Sequence, residues 1–187
     1  MRITGGRARG IPISTGRAKH VRPATDRMRE AVFSSLGEAV TGATFLDLFA
    51  GSGSYGLEAL SRGAEGGIFV EKHPQAGMAL QDNLAAVMKS IGKSGQSSPK
   101  LIRRDVLRFQ SHQRFDLIFM DPPYDLARSH GEELLELVQS VISKDGILVY
   151  ELPGDLDIPA TGWECLRRIG KGGTNEPSTA ILRLPSQ

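Results

Sequence analysis

Four acids in this chain stand at the ends of apolar runs: Asp47 in TFLDLF, Glu71 in GIFVE, Asp105 in KLIRRD and Asp121 in FDLIFMD. Two of them adjoin motifs that could do chemistry. Asp47 lies four residues before Gly51 in the spacing Gly51-x-Gly53-x-x-Gly56, and Asp121 opens Asp121-Pro122-Pro123-Tyr124. Glycines spaced this way between a strand and a helix let the backbone approach an adenosyl ligand closely, and an acid about 20 residues further on can grip its ribose. Glu71 is placed for that. The glycine loop alone leaves a nicotinamide dinucleotide and S-adenosylmethionine (AdoMet) both open. The ring of carboxylates separates them, because it repels a pyrophosphate and attracts a sulfonium and an ammonium.

Asp121-Pro-Pro-Tyr has no part in hydride transfer, but it suits an exocyclic amine on a nucleobase. Such a nitrogen is a poor nucleophile because its lone pair is delocalised into the ring. An acceptor on each of its protons favours a more pyramidal nitrogen aimed at a methyl group. Asp121 can supply one acceptor and the Pro122 carbonyl the other, with both prolines stiffening the turn. Tyr124 offers a flat face for a base taken out of its stack. On this reading Asp121 orients the amine and needs no perturbed pKa.

The elements that must position these residues alternate. After Pro23, the apolar positions Met28, Ala31, Val32 and Leu36 repeat at helical spacing, with Thr25 or Asp26 as the cap and Gly37 at the end. The strand at TFLDLF is followed by a helix in YGLEALSRG, the strand GIFVE and a helix from about Pro74 to Ser90. Strands at KLIRRD and FDLIFMD follow, then a helix around Leu134, Leu137, Val138 and Val141, the strand GILVYE, and two final strands, WECLRRI and TAILRL. Nearly all-apolar strands alternating with helices predict a parallel sheet covered on both faces, closed by an antiparallel pair. Ligands bind beyond the carboxyl ends of such strands, where the four acids fall.

Charge is distributed unevenly over the 187 residues. Residues 1–29 carry eight basic side chains (Arg2, Arg7, Arg9, Arg17, Lys19, Arg22, Arg27, Arg29) against Asp26 alone, while the whole chain is only +2. A basic arm on an acidic body suits a polyanionic partner. Ile3, Ile11 and Ile13 flank the turns at Gly5-Gly6 and Arg9-Gly10, predicting a short strand pair in the arm. The boundaries expected are a basic arm over 1–23 and one catalytic domain over 24–187. The lone Cys165 excludes a disulfide framework and fits a reducing compartment. No apolar run approaches the roughly 20 residues of a membrane span, and the four histidines have no metal-ligand spacing. A soluble, cytoplasmic, metal-free monomer is expected.

LDLFAGSGSYGLEALSRGA with FMDPPY resembles class I AdoMet-dependent methyltransferases acting on amino or amide nitrogens. Together with RITGGRARG and RPATDRMREAVFSSL, the chain resembles the bacterial small-subunit rRNA guanine-N2 methyltransferases of the RsmD type, from Arg2 to about Glu151. The resemblance implies a Rossmann-like, seven-stranded, mostly parallel sheet with a reversed last strand. As substrate it implies a loop guanine of 16S rRNA, methylated on N2, in naked RNA or in an assembling small subunit. It implies that Gly51 and Gly53 border the methionine portion of AdoMet, with Asp47, Phe49 and Ala50 also in the cofactor site, that Glu71 holds the ribose and that Asp105 and Val106 flank the adenine. Asp121 to Tyr124 would hold the target base. Arg22, Thr25 and Arg29 match the family's arm-to-helix motif, which implies RNA or active-site contact alongside Arg2, Arg7, Arg9, Arg17 and Lys19. Ser54-Tyr55 departs from the smaller or aliphatic residues usual in the family, and KGGTNEPST lacks its usual tyrosine-glycine pair. The alternatives are a DNA adenine-N6 or another amino- or amide-nitrogen methyltransferase and, outside this chemistry, a nicotinamide oxidoreductase.

Overall fold

A computed structural model of the chain describes residues 1–16, 26–92, 99–158, 162–170, 173 and 176–185. Helix α1 (Asp26–Leu36) precedes strand β1 (Thr44–Leu48), helix α2 (Ser54–Ser61), β2 (Gly66–Val70), α3 (Pro74–Ile91), β3 (Lys100–Ile102), β4 (Phe115–Met120), α4 (Tyr124–Val141), β5 (Ile142–Pro153), β6 (Glu164–Gly170) and β7 (Pro177–Arg183). The seven strands form one sheet in the order β3-β2-β1-β4-β5-β7-β6. The first five are parallel, and β7 runs antiparallel between β5 and β6. Strand order reverses between β1 and β4, which is where an open sheet of this kind leaves a crevice.

Side-chain alternation sorts the strands between two cores. Phe45, Phe69, Leu117, Phe119 and Val149 pack with α1, α2 and α3, whereas Leu46, Leu48, Val70, Ile118, Met120, Leu148 and Tyr150 pack with α4. The same period of two carries Asp47, Glu71, Asp121 and Glu151 to the α2 side at the strands' carboxyl ends. Helix α4 begins at Tyr124, earlier than its apolar period suggests, because two helical pieces join across a break at His130 (φ −133°, ψ 21°). Strand β5 is also longer than GILVYE, since it starts directly where α4 stops.

The first 16 residues fold as a hairpin, with Arg2 bridged to Pro12, the Ile3 N–H donating to the Ile11 carbonyl and the Ile3 carbonyl accepting from Gly10. This hairpin is part of the body. Ile3, Ala8 and Ile13 are buried in the α1–α3 core. Glu58 of α2, itself fully buried, accepts from Thr4 N (2.9 Å), Thr4 Oγ1 (2.8 Å) and Gly5 N (2.8 Å). Arg29 Nε (3.2 Å) and Arg62 Nε (2.8 Å) complete its shell. Through residues 1–16, the basic arm expected over 1–23 is thus packed into the body and closes one side of the core.

Candidate active site

The glycine loop is built by backbone demands that few side chains could meet. Gly51 (φ 54°) and Gly53 (φ 84°) both occupy the left-handed region, and Phe49 (φ 61°) is a non-glycine residue held there as well, a strain typical of functional loops. Gly56 has a different reason to be glycine. A Cβ there would lie 2.4 Å from Phe69 Cε1 and 2.6 Å from Phe45 Cε2, so it lets α2 settle onto the sheet. Its N–H donates to Asp47 Oδ2 (2.9 Å), fixing the strand-to-helix turn.

Glu71 holds the same loop from the neighbouring strand. Its carboxylate accepts from Gly51 N (2.8 Å) and His73 N (2.7 Å). Each oxygen keeps a further acceptor direction, so ribose hydroxyls can be bound by a carboxylate that is already oriented. Asp105 caps the turn containing Val106 by accepting from Leu107 N (3.1 Å), and Lys72 Nζ lies 3.2 Å from it. Val106 is buried beside it, whereas Ala50 closes the loop by donating to the Val70 carbonyl (3.0 Å).

Asp121 follows Met120 at the end of β4, with Pro122 buried, Pro123 exposed and Tyr124 half-buried at the start of α4. The register pairs Met120 with Tyr150, so Asp121 and Glu151 are successive to that pair on adjacent strands. Glu151 is 4% exposed, and its Oε2 accepts from Tyr55 Oη (3.0 Å). Tyr55 in turn stacks on Phe119 with ring centroids 5.3 Å apart. Sequence reasoning missed Tyr55 and Glu151. The strand-end argument that found the other acids applies equally to GILVYE, whose last residue is Glu151.

In sheet order, β3, β2, β1, β4 and β5 thus carry Asp105, Glu71, Asp47, Asp121 and Glu151 at or just beyond their carboxyl ends. Among the described residues the only ion pair in this row is the one between Asp105 and Lys72. Burial pushes Asp47 up to about 7, against the hydrogen bond from Gly56 and with the help of Glu71. Burial likewise lifts Glu151 to about 7 against the Tyr55 hydrogen bond. Asp121 is raised well above the ordinary carboxylate range by burial, then by Glu151 and Asp47. Buried acids without cations form a site that is incomplete until a positive ligand arrives. This donor set fits AdoMet and disfavours a pyrophosphate.

A third missed residue ties the hairpin to this site. Asn83 of α3, 5% exposed, accepts from Ser14 N (2.9 Å) and donates to the carbonyls of Ser14 (2.8 Å) and Ser52 (3.0 Å). A polar residue on the buried stripe of Leu80 and Val87 was its signal. Arg2, Arg7 and Arg9 are exposed. Arg29 is not: it is fully buried, bonded to Glu58, Asp26 and the Arg2 carbonyl, so its expected contact with RNA is corrected to a structural role. Arg17, Lys19, Arg22 and Thr25 lie outside the described residues.

The chain matches the family profile described as Conserved hypothetical protein 95 over residues 1–178. It is 35% identical over 141 residues to ribosomal RNA small subunit methyltransferase D of Escherichia coli, covering 74% of this chain and 67% of that protein. It is 33% identical over 168 residues to the rRNA methyltransferase candidate YlbH of Bacillus subtilis, covering 86% and 87%. Among solved structures, the methyltransferase candidate yhhF of Escherichia coli superposes with a TM-score of 0.80 at 28% identity, covering 100% of this chain and 99% of that one. The glycine loop, the carboxylate row and these relationships agree: the chain belongs to the Conserved hypothetical protein 95 family, the RsmD family of AdoMet-dependent methyltransferases.

Proposed function

We propose that the protein methylates the exocyclic N2 amine of a guanine in small-subunit ribosomal RNA. The observation that carries this reading is the placement of Asp121-Pro122-Pro123-Tyr124 beside the glycine loop, on a sheet edge whose acids, Asp105 apart, have no ion pair among the described residues. Its relatives' names supply the RNA class. AdoMet, when bound, supplies the methyl group. Phe49, Ala50, Gly51 and Gly53 would border its methionine portion, Glu71 its ribose, and Asp105 with Val106 its adenine. The Asp121 carboxylate and the Pro122 carbonyl hold the two amine protons and turn the nitrogen lone pair toward the methyl group. Tyr124 covers one face of the base. Positioning supplies the rate, with no covalent enzyme intermediate.

The exposed Arg2, Arg7 and Arg9, with Arg17, Lys19, Arg22 and Thr25, would grip the RNA phosphates. The described hairpin ends at Gly16, where a Cβ would lie 3.3 Å from Ala79 Cβ and 3.7 Å from the Gln75 carbonyl on α3. That helix starts at the carboxyl edge of the sheet, so Gly16 lies on the side where the target must enter. The enzyme would act in the cytoplasm; among the described residues no helix is long and apolar enough to cross a membrane. The test is methylation of 16S rRNA and of small subunits from cells lacking this modification, followed by mapping of the product. One guanine carrying N2-methyl is expected. Transfer to adenine N6, or to a protein glutamine, would overturn the reading.

A further inference from the structure

Glu151 remains unused by the reaction as described, although its position is defined as tightly as that of Asp121. Alternation along β5 places it on the side shared by Asp47 and Asp121, because Val149 packs into the α1–α3 core and Tyr150 into the other. Neighbouring strands lie about 4.8 Å apart, and the Met120–Tyr150 pairing brings Asp121 and Glu151 out side by side. Tyr55 is the one hydrogen-bond donor to Glu151 among the described residues, and it holds Oε2. Stacking on Phe119 fixes the Tyr55 ring in turn.

Two adjacent carboxylates, in their ionised form, present acceptors only, so they match a ligand edge that presents adjacent donors. Guanine has such an edge, with N1–H beside the N2 amine. Adenine does not, since its N1 is an acceptor that would face a carboxylate oxygen. Enzymes that act on an unstacked base read it through this Watson–Crick edge.

We propose that Glu151, tethered by Tyr55, accepts the N1–H of the guanine whose N2 amine is held by Asp121 and Pro122, and so makes the site selective for guanine. This rests on the guanine-N2 reading above. Glu151 is a specificity-determining residue in this scheme, and Tyr55 is a positioning residue that acts through it.

The test compares RNA carrying guanine at the mapped target with RNA carrying 2-aminopurine there. The analogue keeps the exocyclic amine and lacks N1–H. Wild-type protein should prefer guanine in kcat/KM by about 100-fold or more, since a site built to bond a donor strongly rejects an analogue lacking it. Glu151→Gln should lose mainly on guanine and narrow the preference to within about tenfold. Tyr55→Phe keeps the ring and frees the carboxylate, so it should narrow the preference part of the way. Folding of each variant is read from AdoMet binding, and the guanine to 2-aminopurine ratio is insensitive to a uniform loss of active protein. Equal rates on both RNAs for the wild type would overturn the proposal. So would full discrimination retained by Glu151→Gln, which would leave Asp121 reading both donors. Absence of transfer to guanine by the wild type would instead overturn the functional reading on which the proposal stands.

Discussion

Buried carboxylates occur in two regions of this molecule, and they are treated oppositely. At the hairpin, Glu58 is fully buried and surrounded by Arg29, Arg62, Thr4 and Gly5. At the carboxyl edge, Asp47 and Glu151 are nearly as buried but, among the described residues, meet only an N–H from Gly56 and a hydroxyl from Tyr55. The first arrangement is complete within the chain and holds the fold together. The second leaves acids displaced upward in pKa, to about 7 for both Asp47 and Glu151. Among the described residues, arginines surround one buried acid and none pairs with Asp47, Asp121 or Glu151, which leaves those acids for ligands from outside, the AdoMet cation among them.

Breaking the completed region should have the largest effect. Glu58→Ala strands Arg29 in the core, and removing one partner of a buried pair costs about 3–5 kcal/mol. Urea unfolding should show that loss, with AdoMet binding falling only as the folded fraction falls. Deleting residues 1–16 should be at least as damaging, because Ile3, Ala8 and Ile13 leave the core with the hydrogen bonds to Glu58. A truncated protein of wild-type stability would show that the hairpin is an appendage after all.

The reserved region should respond in chemistry before stability. Asp121→Ala should cut single-turnover methyl transfer by about 100-fold or more, the scale for losing one positioned electrostatic group, while AdoMet affinity stays within a few-fold. Near wild-type rates would remove Asp121 from the role of amine acceptor. Glu71→Ala should weaken AdoMet binding by about 1.5–3 kcal/mol, through lost ribose contacts and a Gly51 loop no longer held from β2. An unchanged dissociation constant in calorimetry would exclude Glu71 from the cofactor site.

The contrast was only half legible in the sequence. Strand ends and glycine spacing located Asp47, Glu71, Asp105 and Asp121, because alternation and the strand–loop–helix pattern are local. The partners of Glu58 were invisible, since Thr4, Arg29 and Arg62 meet it only after the hairpin folds back over α2. For the same reason Arg29 read as one more member of a basic run, although it is the counter-ion of a buried acid. Tyr55 looked like a departure within the glycine motif. Its purpose needs β5 in place, 96 residues later. The parallel sheet with its antiparallel closing pair was readable from strand and helix periods, whereas the break at His130 carries no periodic signal.

A smaller effect sharpens the same comparison through pH. A carboxyl whose folded pKa lies above its unfolded value favours the folded state fully below the unfolded value, near 4.5 for Glu151, and this contribution is lost as pH rises through about 7. Glu151→Gln keeps an acceptor for Tyr55 and cannot ionise. It should therefore raise stability above pH 8, by on the order of 1–3 kcal/mol, and give no gain near pH 4. Thermal melts at both pH values check the sign; equal effects at the two would mean that Glu151 is compensated by charge elsewhere.

The most direct measurement is calorimetric titration of the full chain with AdoMet and with S-adenosylhomocysteine, which lacks the sulfonium charge, at pH 6.5 in two buffers of different ionisation enthalpy. A row of acids reserved for a cation predicts that AdoMet expels protons from Asp47 and its neighbours, and expels more of them than the uncharged sulfur compound does. Equal proton release by the two ligands, or binding of NAD with the affinity of AdoMet, would contradict the account.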